Sequence, residues 1–465
     1  MNGGARNTVK FAAELKKTIG RSFLVVGLAS TGIAVSRFLV KCGARVIGTD
    51  MRDISALPGA SELKELGVEV ETGGHKAALK SKPEVVIVSP GVPRDHEVLT
   101  QAGKLGAEVI SDVEFAWRFM DAPVLAVAGT NGKSTTTELL GEVMTKAGHS
   151  VFVGGNIGTP AIEYAEAMLE KGINYEFAVL EISSFHLETI ATFRPRVGVL
   201  LNITEDHLDR YKDFDDYAKT KLRLFENQVR GDFAVVNADD AVIAGYIERG
   251  ALGGNAKLVK FSSSGSIENG IFLKGSEIIY GSETYPVAGF KLKGLHNMEN
   301  IMAVIASGRA VGVPRQSILE SVNSFEGLSH RMEFVREFDG VTYVDDSKGT
   351  NIGALQMALK GIGAPVVLIA GGRDKGGDYS VLASLIKQKV KAMILIGEAR
   401  FKIFKSLGGL TDTVMAISFE EAVNTARSKA GVGDTVLLCP ACSSFDMFKS
   451  YKERGERFRL LVEAF

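Results

Sequence analysis

The chain of 465 residues is 45% hydrophobic and carries a formal net charge of −1. That length exceeds what one core organises and argues for about three domains. The near-neutral balance excludes a broad basic field for nucleic acid, and short clusters such as Lys-Gln-Lys-Val-Lys (387–391) are solvated surface. The three cysteines, Cys42, Cys439 and Cys442, make no disulfide framework and suit a reducing cytoplasm, and no apolar run is long enough to span a membrane.

The first segment, residues 1–111, opens with a strand at Ser22–Gly27, a turn at Leu28–Gly32 and a helix through Ile33–Gly43. The polar interruptions at Gly27, Ser30, Thr31 and Gly32 argue against a secretory signal. A second strand ends at Asp50, about twenty residues after the turn, as in a dinucleotide fingerprint. The loop, however, reads Gly27-Leu28-Ala29-Ser30-Thr31-Gly32, with Ala29 where a glycine normally admits the pyrophosphate. The segment therefore reads as a Rossmann-like domain that holds another nucleotide in a different pose, in preference to a nicotinamide module. A later strand ends in the turn Ser89-Pro90-Gly91.

The second segment, 112–327, begins with the buried strand pattern Ala122–Gly129. Leu139, Leu140, Val143 and Met144 follow at helical spacing, with a glycine stop at Gly148. Between them lies Gly129-Thr130-Asn131-Gly132-Lys133-Ser134-Thr135. It departs from the usual Walker pattern, which places a glycine where Val127 stands. Its glycines allow a sharp turn and close approach of a ligand, and the helix N-terminus offers N–H groups to an anion. Lys133 is placed to reach outer phosphates and Ser134 to coordinate magnesium. Strand, loop and helix together favour a nucleotide site over an ordinary glycine-rich turn.

Later strand patterns end in polar residues: Glu181 and Ser183; Asn202, Glu205, Asp206 and His207; Asn237 and Asp239. In open α/β sheets ligands bind beyond such strand ends. A carboxylate at Glu181, directly after an apolar run, needs a partner or a metal. His75, His96 and His149 read as hydrogen-bonded structural histidines, whereas His207, in an acidic turn, reads as functional. Asn297 suits either a base or ribose contact or a helix cap. The third segment, 328–465, repeats the grammar with Asp346, Ser347 and Lys348, then Arg373, Asp374 and Lys375, then Ser443 and Ser444. Cys-Pro-Ala-Cys (439–442) reads as a strand end rather than a redox or zinc motif.

AGTNGKST, GGNIG, LEISSF, NITEDHLDR, KTKLRLFEN, GLHNMEN and SHRMEF, in this order, resemble the Mur ligase family. VDDSKGTN, GGRDKGGDY and PACSSFDMF resemble its D-glutamate-adding branch, and the resemblance covers nearly the whole chain. The family's shortened loop, Gly-Thr-Asn-Gly-Lys-Ser/Thr, accounts for the missing first glycine. The resemblance implies an α/β fold of three domains: a Rossmann-like UDP-substrate domain, a central P-loop ATPase-type domain and a Rossmann-like amino-acid domain. It also implies an ATP-dependent amide ligase of peptidoglycan precursor synthesis, acting on UDP-N-acetylmuramoyl-L-alanine and D-glutamate through an acyl phosphate, with domain closure excluding water. The implied protein is cytoplasmic and monomeric, without nucleic acid or membrane insertion.

Carried over by motif, Gly129, Thr130, Asn131, Gly132, Lys133, Ser134 and Thr135 bind the ATP phosphates, and Asn297, Arg331 and Asp346 contact ATP. Ser134 and Glu181 hold one Mg2+; His207 and Lys221 serve a second, with Lys221 carbamylated. Ser30, Thr31, Asp50, Arg52, Ser89 and Gly91 surround the UDP portion, with Asn156 and His186 nearer the muramoyl end. Lys348, Thr350, Lys375, Ser444 and Phe445 receive D-glutamate. Lys133, Glu181, His207, Lys221 and Lys348 make up the implied catalytic set. Two positions depart from the family pattern: His186 stands where glutamine is expected, and Tyr451 where phenylalanine is. The alternatives are a folylpolyglutamate-synthase-like ligase, which lacks a UDP-binding first domain; a nicotinamide-dependent oxidoreductase; and a pure nucleotide-binding regulator.

Overall fold

The computed structural model describes residues 4–465 apart from Pro58, Ile157, Ala364 and Gly376, so Ile157 of GGNIG and Gly376 of GGRDKGGDY lie outside the described residues. Among the described residues the strands fall into three sheets. The first contains β1 (Ser22–Val26), β2 (Arg45–Asp50), β3 (Glu69–Thr72), β4 (Val85–Val88) and β5 (Glu108–Ser111). Their order is β3-β2-β1-β4-β5, parallel throughout. Leu24, Val25 and Val26 are all buried, as continuous apolar runs in a parallel sheet require. The helix after β1 begins at Ser30, earlier than the apolar pattern suggests, because the Ala29 carbonyl already accepts the Ile33 N–H at 3.0 Å. Gly27 turns the chain at φ +92°, and a Cβ on Gly32 would lie 1.9 Å from the Gly27 carbonyl oxygen. Both glycines are therefore needed for the turn itself.

The second sheet contains β6 (Val124–Ala128), β7 (Val151–Gly155), β8 (Phe177–Glu181), β9 (Val197–Leu200), β10 (Phe233–Asn237), β11 (Lys257–Ser262), β12 (Ile271–Lys274), β13 (Glu277–Tyr280) and β14 (Glu283–Pro286). The order is β14-β13-β12-β11-β10-β9-β6-β8-β7. It is parallel from β7 to β12 and closes with antiparallel β12–β13 and β13–β14 pairs. The fully buried β6 lies between β8 and β9, and the helix Lys133–Lys146 packs on it with Leu139, Leu140, Val143 and Met144 buried. The third sheet contains β15 (Glu333–Phe338), β16 (Val341–Asp345), β17 (Val366–Gly371), β18 (Val390–Ile396), β19 (Asp412–Met415) and β20 (Thr435–Leu438), in the order β15-β16-β20-β17-β18-β19. Only β15 in this sheet pairs antiparallel, with β16.

The chain divides into two compact units. One comprises Met1–Asn202, Ala218–Gly289 and Glu299–Ser324 and carries the first two sheets; the other comprises Ile203–Tyr217, Phe290–Met298 and Phe325–Phe465 and carries the third. Residues 203–217, 290–298 and 325–327 of the sequence segment 112–327 thus group with the third sheet. Within the first unit, Arg37 makes a bidentate pair with Glu166 at 2.8 and 2.7 Å, joined by Lys41 at 2.6 Å. There too the fully buried Glu114 carboxylate accepts the backbone N–H groups of Ala191, Thr192 and Phe193 at 3.1, 3.0 and 2.7 Å. Among the described residues no helix is long and apolar enough to cross a membrane.

Candidate active site

In the first unit Asn202, one of the polar strand-end residues, meets the loop after β6. Gly129 has φ +152° and Gly132 φ +85°. A Cβ on Gly129 would lie 3.0 Å from Leu201 Cβ, and one on Gly132 would lie 2.4 Å from Asn300 Oδ1. Asn202, just past β9, accepts the Asn131 N–H on its side-chain oxygen at 2.8 Å, while its backbone carbonyl accepts the Thr130 N–H at 3.0 Å. The loop is thus clamped from the neighbouring strand. Lys133 folds back with Nζ donating to the Gly129 and Thr130 carbonyls at 3.0 and 2.9 Å. Thr135 Oγ1, in the first turn of the helix, is buried with no hydrogen-bond partner among the described residues. That orphaned hydroxyl lies directly after the loop and Ser134.

Lys221, on the helix Phe214–Leu222, is 2% exposed and donates to the Gly129 carbonyl at 3.0 Å, so a buried cation sits against the loop. Glu181 closes β8, is buried, and accepts the Asn156 side-chain amide at 3.0 Å. The Asn156 N–H in turn donates to the Glu181 carbonyl at 2.9 Å. The structure therefore brings residues 129–135, Lys221, and the Glu181–Asn156 pair to the carboxyl ends of neighbouring strands of one sheet. His186 is 1% exposed and serves a capping box, its Nδ1 accepting the Ser183 N–H at 3.2 Å. Its Nε2 lies 3.5 Å from Asp112 Oδ1.

The residues expected around the UDP portion lie at the carboxyl ends of β1, β2 and β4. Asp50 accepts the Leu28 N–H at 2.8 Å, and its two oxygens pair with Arg52 Nε and Nη2 at 3.0 and 2.8 Å. Although desolvation opposes ionisation, these hydrogen bonds pull the carboxyl down to about 2. Asp50 therefore braces the loop after β1 through the Leu28 amide while it holds Arg52. Ser89 Oγ donates to the Gly27 carbonyl at 2.7 Å. Ser30 and Gly91 are exposed and Thr31 half-buried, and a Cβ on Gly91 meets no atom within 4 Å.

The second unit gathers the remaining residues. Asp346 directly follows β16 and opens the turn after it, with Oδ1 accepting the Met332 N–H at 3.2 Å and Oδ2 the Cys439 thiol at 3.1 Å. Burial pushes its carboxyl up to about 6, opposed by the charge of Arg331, whose buried Nε has no hydrogen-bond partner among the described residues. Asn297 donates its side-chain amide to the Lys293 carbonyl at 2.8 Å. His207 adopts φ +55°, with Nε2 3.6 Å from Asp206 Oδ2. Asp206 also faces Lys375 Nζ at 3.4 Å and accepts the Asn351 side-chain amide at 3.1 Å. Glu205, Asp206, Asn351, Asp374, Lys375 and Tyr379 line one cavity, and Thr350 directly precedes Asn351 in the chain. Lys348 Nζ stands 5.6 Å from the centre of the Tyr451 ring, Ser444 is buried and Phe445 is 64% exposed. Of the histidines read as structural, His75 Nδ1 meets Thr49 Oγ1 at 2.7 Å, His96 accepts the Val98 N–H at 3.3 Å, and His149 packs edge-on against Phe177.

Sequence reasoning singled out neither Asn300, which lines the loop, nor Arg454, buried in the third-sheet unit. Asn300 has a signal, since it stands three residues after Asn297 in GLHNMEN on one helix face. Arg454 has none, because an arginine in an amphipathic helix reads as surface.

Residues 21–111 match the family description "Mur ligase MurD-like, N-terminal domain", 127–308 the "Mur ligase middle domain", and 330–442 the "Mur ligase, glutamate ligase domain". The chain is 48% identical over 450 residues to a Geobacter metallireducens protein named UDP-N-acetylmuramoylalanine–D-glutamate ligase, covering 96% of this chain and 98% of that one. It is 47% identical over 449 residues to a Pelobacter propionicus protein of the same name, covering 96% and 99%. In fold it is similar to the pseudomurein peptide ligase type C of Methanothermus fervidus, with a TM-score of 0.60, 20% identity and coverage of 96% and 100%.

Proposed function

The chain belongs to the Mur ligase family, and we infer that it is an ATP-dependent ligase joining D-glutamate to the alanyl carboxylate of UDP-N-acetylmuramoyl-L-alanine. The observation that carries this reading is the near-end-to-end likeness to relatives of that name, combined with a phosphate loop whose glycines cannot bear side chains. A folylpolyglutamate-type ligase leaves the matched first domain unexplained.

The residues present fit a magnesium nucleotide. Two left-handed glycines expose backbone at a helix N-terminus, and Thr135 Oγ1 is an orphaned buried hydroxyl. Ser134 and the buried Glu181 carboxylate supply the oxygen ligands that magnesium prefers. When bound, the metal neutralises phosphate charge during phosphoryl transfer. We assign Ser134 and Glu181 to one magnesium, and a carbamylated Lys221 to a second; His207 keeps the metal-ligand role expected of it.

A carboxylate resists attack because its charge repels nucleophiles and oxide does not leave. In the proposed reaction an alanyl carboxylate oxygen attacks the γ-phosphorus of ATP and the bond to ADP breaks. The D-glutamate amine then forms the C–N bond, phosphate leaves with the C–O electrons, and the amine releases its proton. Lys133 gives up its loop carbonyls to neutralise the transferring oxygens. Asn202 keeps the loop amides in place, and Asn156 orients the Glu181 carboxylate. Lys348, Thr350, Lys375, Ser444 and Phe445 are assigned to D-glutamate, with a lysine matched to the distal carboxylate. Asn297, Arg331 and Asp346 are assigned to ATP. Ser30, Thr31, Asp50, Arg52, Ser89 and Gly91 are assigned to the uridine end, Asn156 and His186 to the muramoyl end. The proposed setting is the cytoplasm and the proposed assembly a monomer.

The test is phosphate release from MgATP and UDP-N-acetylmuramoyl-L-alanine with D- or L-glutamate added. Release dependent on the D isomer supports the reading; equal response to the L isomer, or release without the UDP substrate, overturns it.

A further inference from the structure

The loops after β16 and β20 carry Lys348 and Ser444, and the loop after β17 carries Lys375; one buried side chain hydrogen-bonds the first two and lies close to the start of the third. Arg454, on the helix Tyr451–Glu463, is 1% exposed. Its Nε donates to Ser347 Oγ at 3.0 Å and its Nη2 to the Ser347 carbonyl at 2.8 Å, beside Lys348. Nη1 and Nη2 both donate to the Cys442 carbonyl at 3.4 Å, just before Ser443 and Ser444. After β17, a Cβ on Gly372 would lie 3.4 Å from Arg454 Nη1 and 2.3 Å from the Ser443 carbonyl oxygen. Arg373, next along, exchanges backbone hydrogen bonds with Ser443 at 3.0 and 3.1 Å. The same turn of helix acts again through Tyr451, whose carbonyl accepts the Ser347 hydroxyl at 2.8 Å and whose ring faces Lys348.

Filling space does not explain this residue. Among the described residues its hydrogen bonds go to one hydroxyl and two carbonyls, while Asp345 and Asp446 act on it only through space. Desolvation brings the guanidinium down to about 10. A buried cation without a direct counter-ion is a costly core residue, but a rigid fork of donors fixes the relative positions of several backbone segments.

We propose that Arg454 is a positioning residue for the incoming amino acid, tying the Lys348 loop to the Ser443–Ser444 loop and, through Gly372, setting the loop that carries Lys375. This rests on the reading that these loops receive D-glutamate.

Arg454→Lys keeps the charge and removes the fork. The expected result is a KM for D-glutamate raised about tenfold or more, with the KM for ATP within about twofold. Ser347→Ala removes one acceptor and serves if Arg454→Lys does not fold; it is expected to raise the KM for D-glutamate about three- to fivefold. Phe458→Leu, in the core on the same helix, controls for general loosening; it is expected to lower Tm with the KM for D-glutamate within about twofold. An unchanged KM for D-glutamate in the first two variants, an equal rise in the KM for ATP, or a comparable D-glutamate effect in Phe458→Leu overturns the proposal. Phosphate release independent of D-glutamate in the unsubstituted enzyme instead overturns the function, and shows before any variant is made.

Discussion

Asn202 grips Asn131 with both ends of one amide: its Oδ1 accepts the Asn131 N–H at 2.8 Å and its Nδ2 donates to the Asn131 carbonyl at 3.1 Å. The loop proposed to cradle phosphate is thus braced from the neighbouring strand end by one side chain. Asn202→Ala removes both bonds and is expected to lower kcat/KM for ATP about tenfold, or about 1.4 kcal/mol of transition-state stabilisation. Asn202→Asp keeps the acceptor and is expected to fall between the two. Steady-state kinetics at saturating D-glutamate decide it; equal activity in all three proteins would show that the clamp is dispensable.

Asp346, proposed above to contact ATP, also bears on stability through its burial. Its folded-state carboxyl is raised to about 6 from 3.8 by burial. Between those values the native state holds the proton more tightly than the unfolded chain, so this group's contribution falls as pH rises from about 4 to about 6, then levels off. Asp346→Asn removes that loss, at most about 3 kcal/mol. The ligand-free variant is therefore expected to have a higher Tm than the unsubstituted protein at pH 7, little advantage at pH 4, and weaker ATP binding. The nearby His330 has the opposite ionisation but the same slope in a higher window. Its ring is raised above 6.5 by its bond to Asp345, so its stabilisation is complete below 6.5 and lost as pH rises through the folded value. A Tm difference between Asp346→Asn and the parent that does not change with pH would refute the account.

Glu114 tests structure apart from catalysis. Its fully buried carboxylate accepts three successive backbone N–H groups and the Thr192 hydroxyl at 2.6 Å. Glu114→Ala leaves those donors without their acceptor and is expected to destabilise the fold by about 2–5 kcal/mol in urea unfolding. The KM for ATP in the remaining folded fraction is expected to stay within about twofold. A loss below about 0.5 kcal/mol would mean that water replaces the carboxylate.

These residues mark what the sequence could and could not convey. β6, the two loop glycines and the acid closing β8 are legible because apolar runs, backbone chirality and the cost of burying a carboxylate are local properties. Asn202 is visible as a strand-end residue, but its partner is 71 positions away. Arg454 meets Ser347 across 107 positions, and nothing in its helix distinguishes it from a solvated arginine. Asp50 shows the converse: its spacing matches a ribose-binding acid, yet Arg52, two residues on, and the Leu28 amide occupy the carboxylate. The grouping of 203–217 and 290–298 with the third sheet depends on tertiary packing that no periodicity records.

Lys221 gives the sharpest chemical prediction. An exposed lysine on an amphipathic helix is the ordinary reading, but this one is 2% exposed with Nζ on the Gly129 carbonyl. An ammonium beside magnesium is repelled by about 4 kcal/mol per unit of metal charge at about 4 Å and an effective dielectric of about 20. Reaction of the neutral amine with carbon dioxide forms an N–C bond, releases a proton and replaces the cation with an anionic carbamate bearing oxygen ligands. Protein loaded with MgATP under ¹³CO₂ is therefore expected to show a carbamate carbon resonance that is absent from Lys221→Gln. Activity in Lys221→Ala is expected to fall by at least about a hundredfold and to recover partly with a small added carboxylate. Full activity in Lys221→Ala, or a labelled signal that persists in Lys221→Gln, would remove the carbamate from this residue.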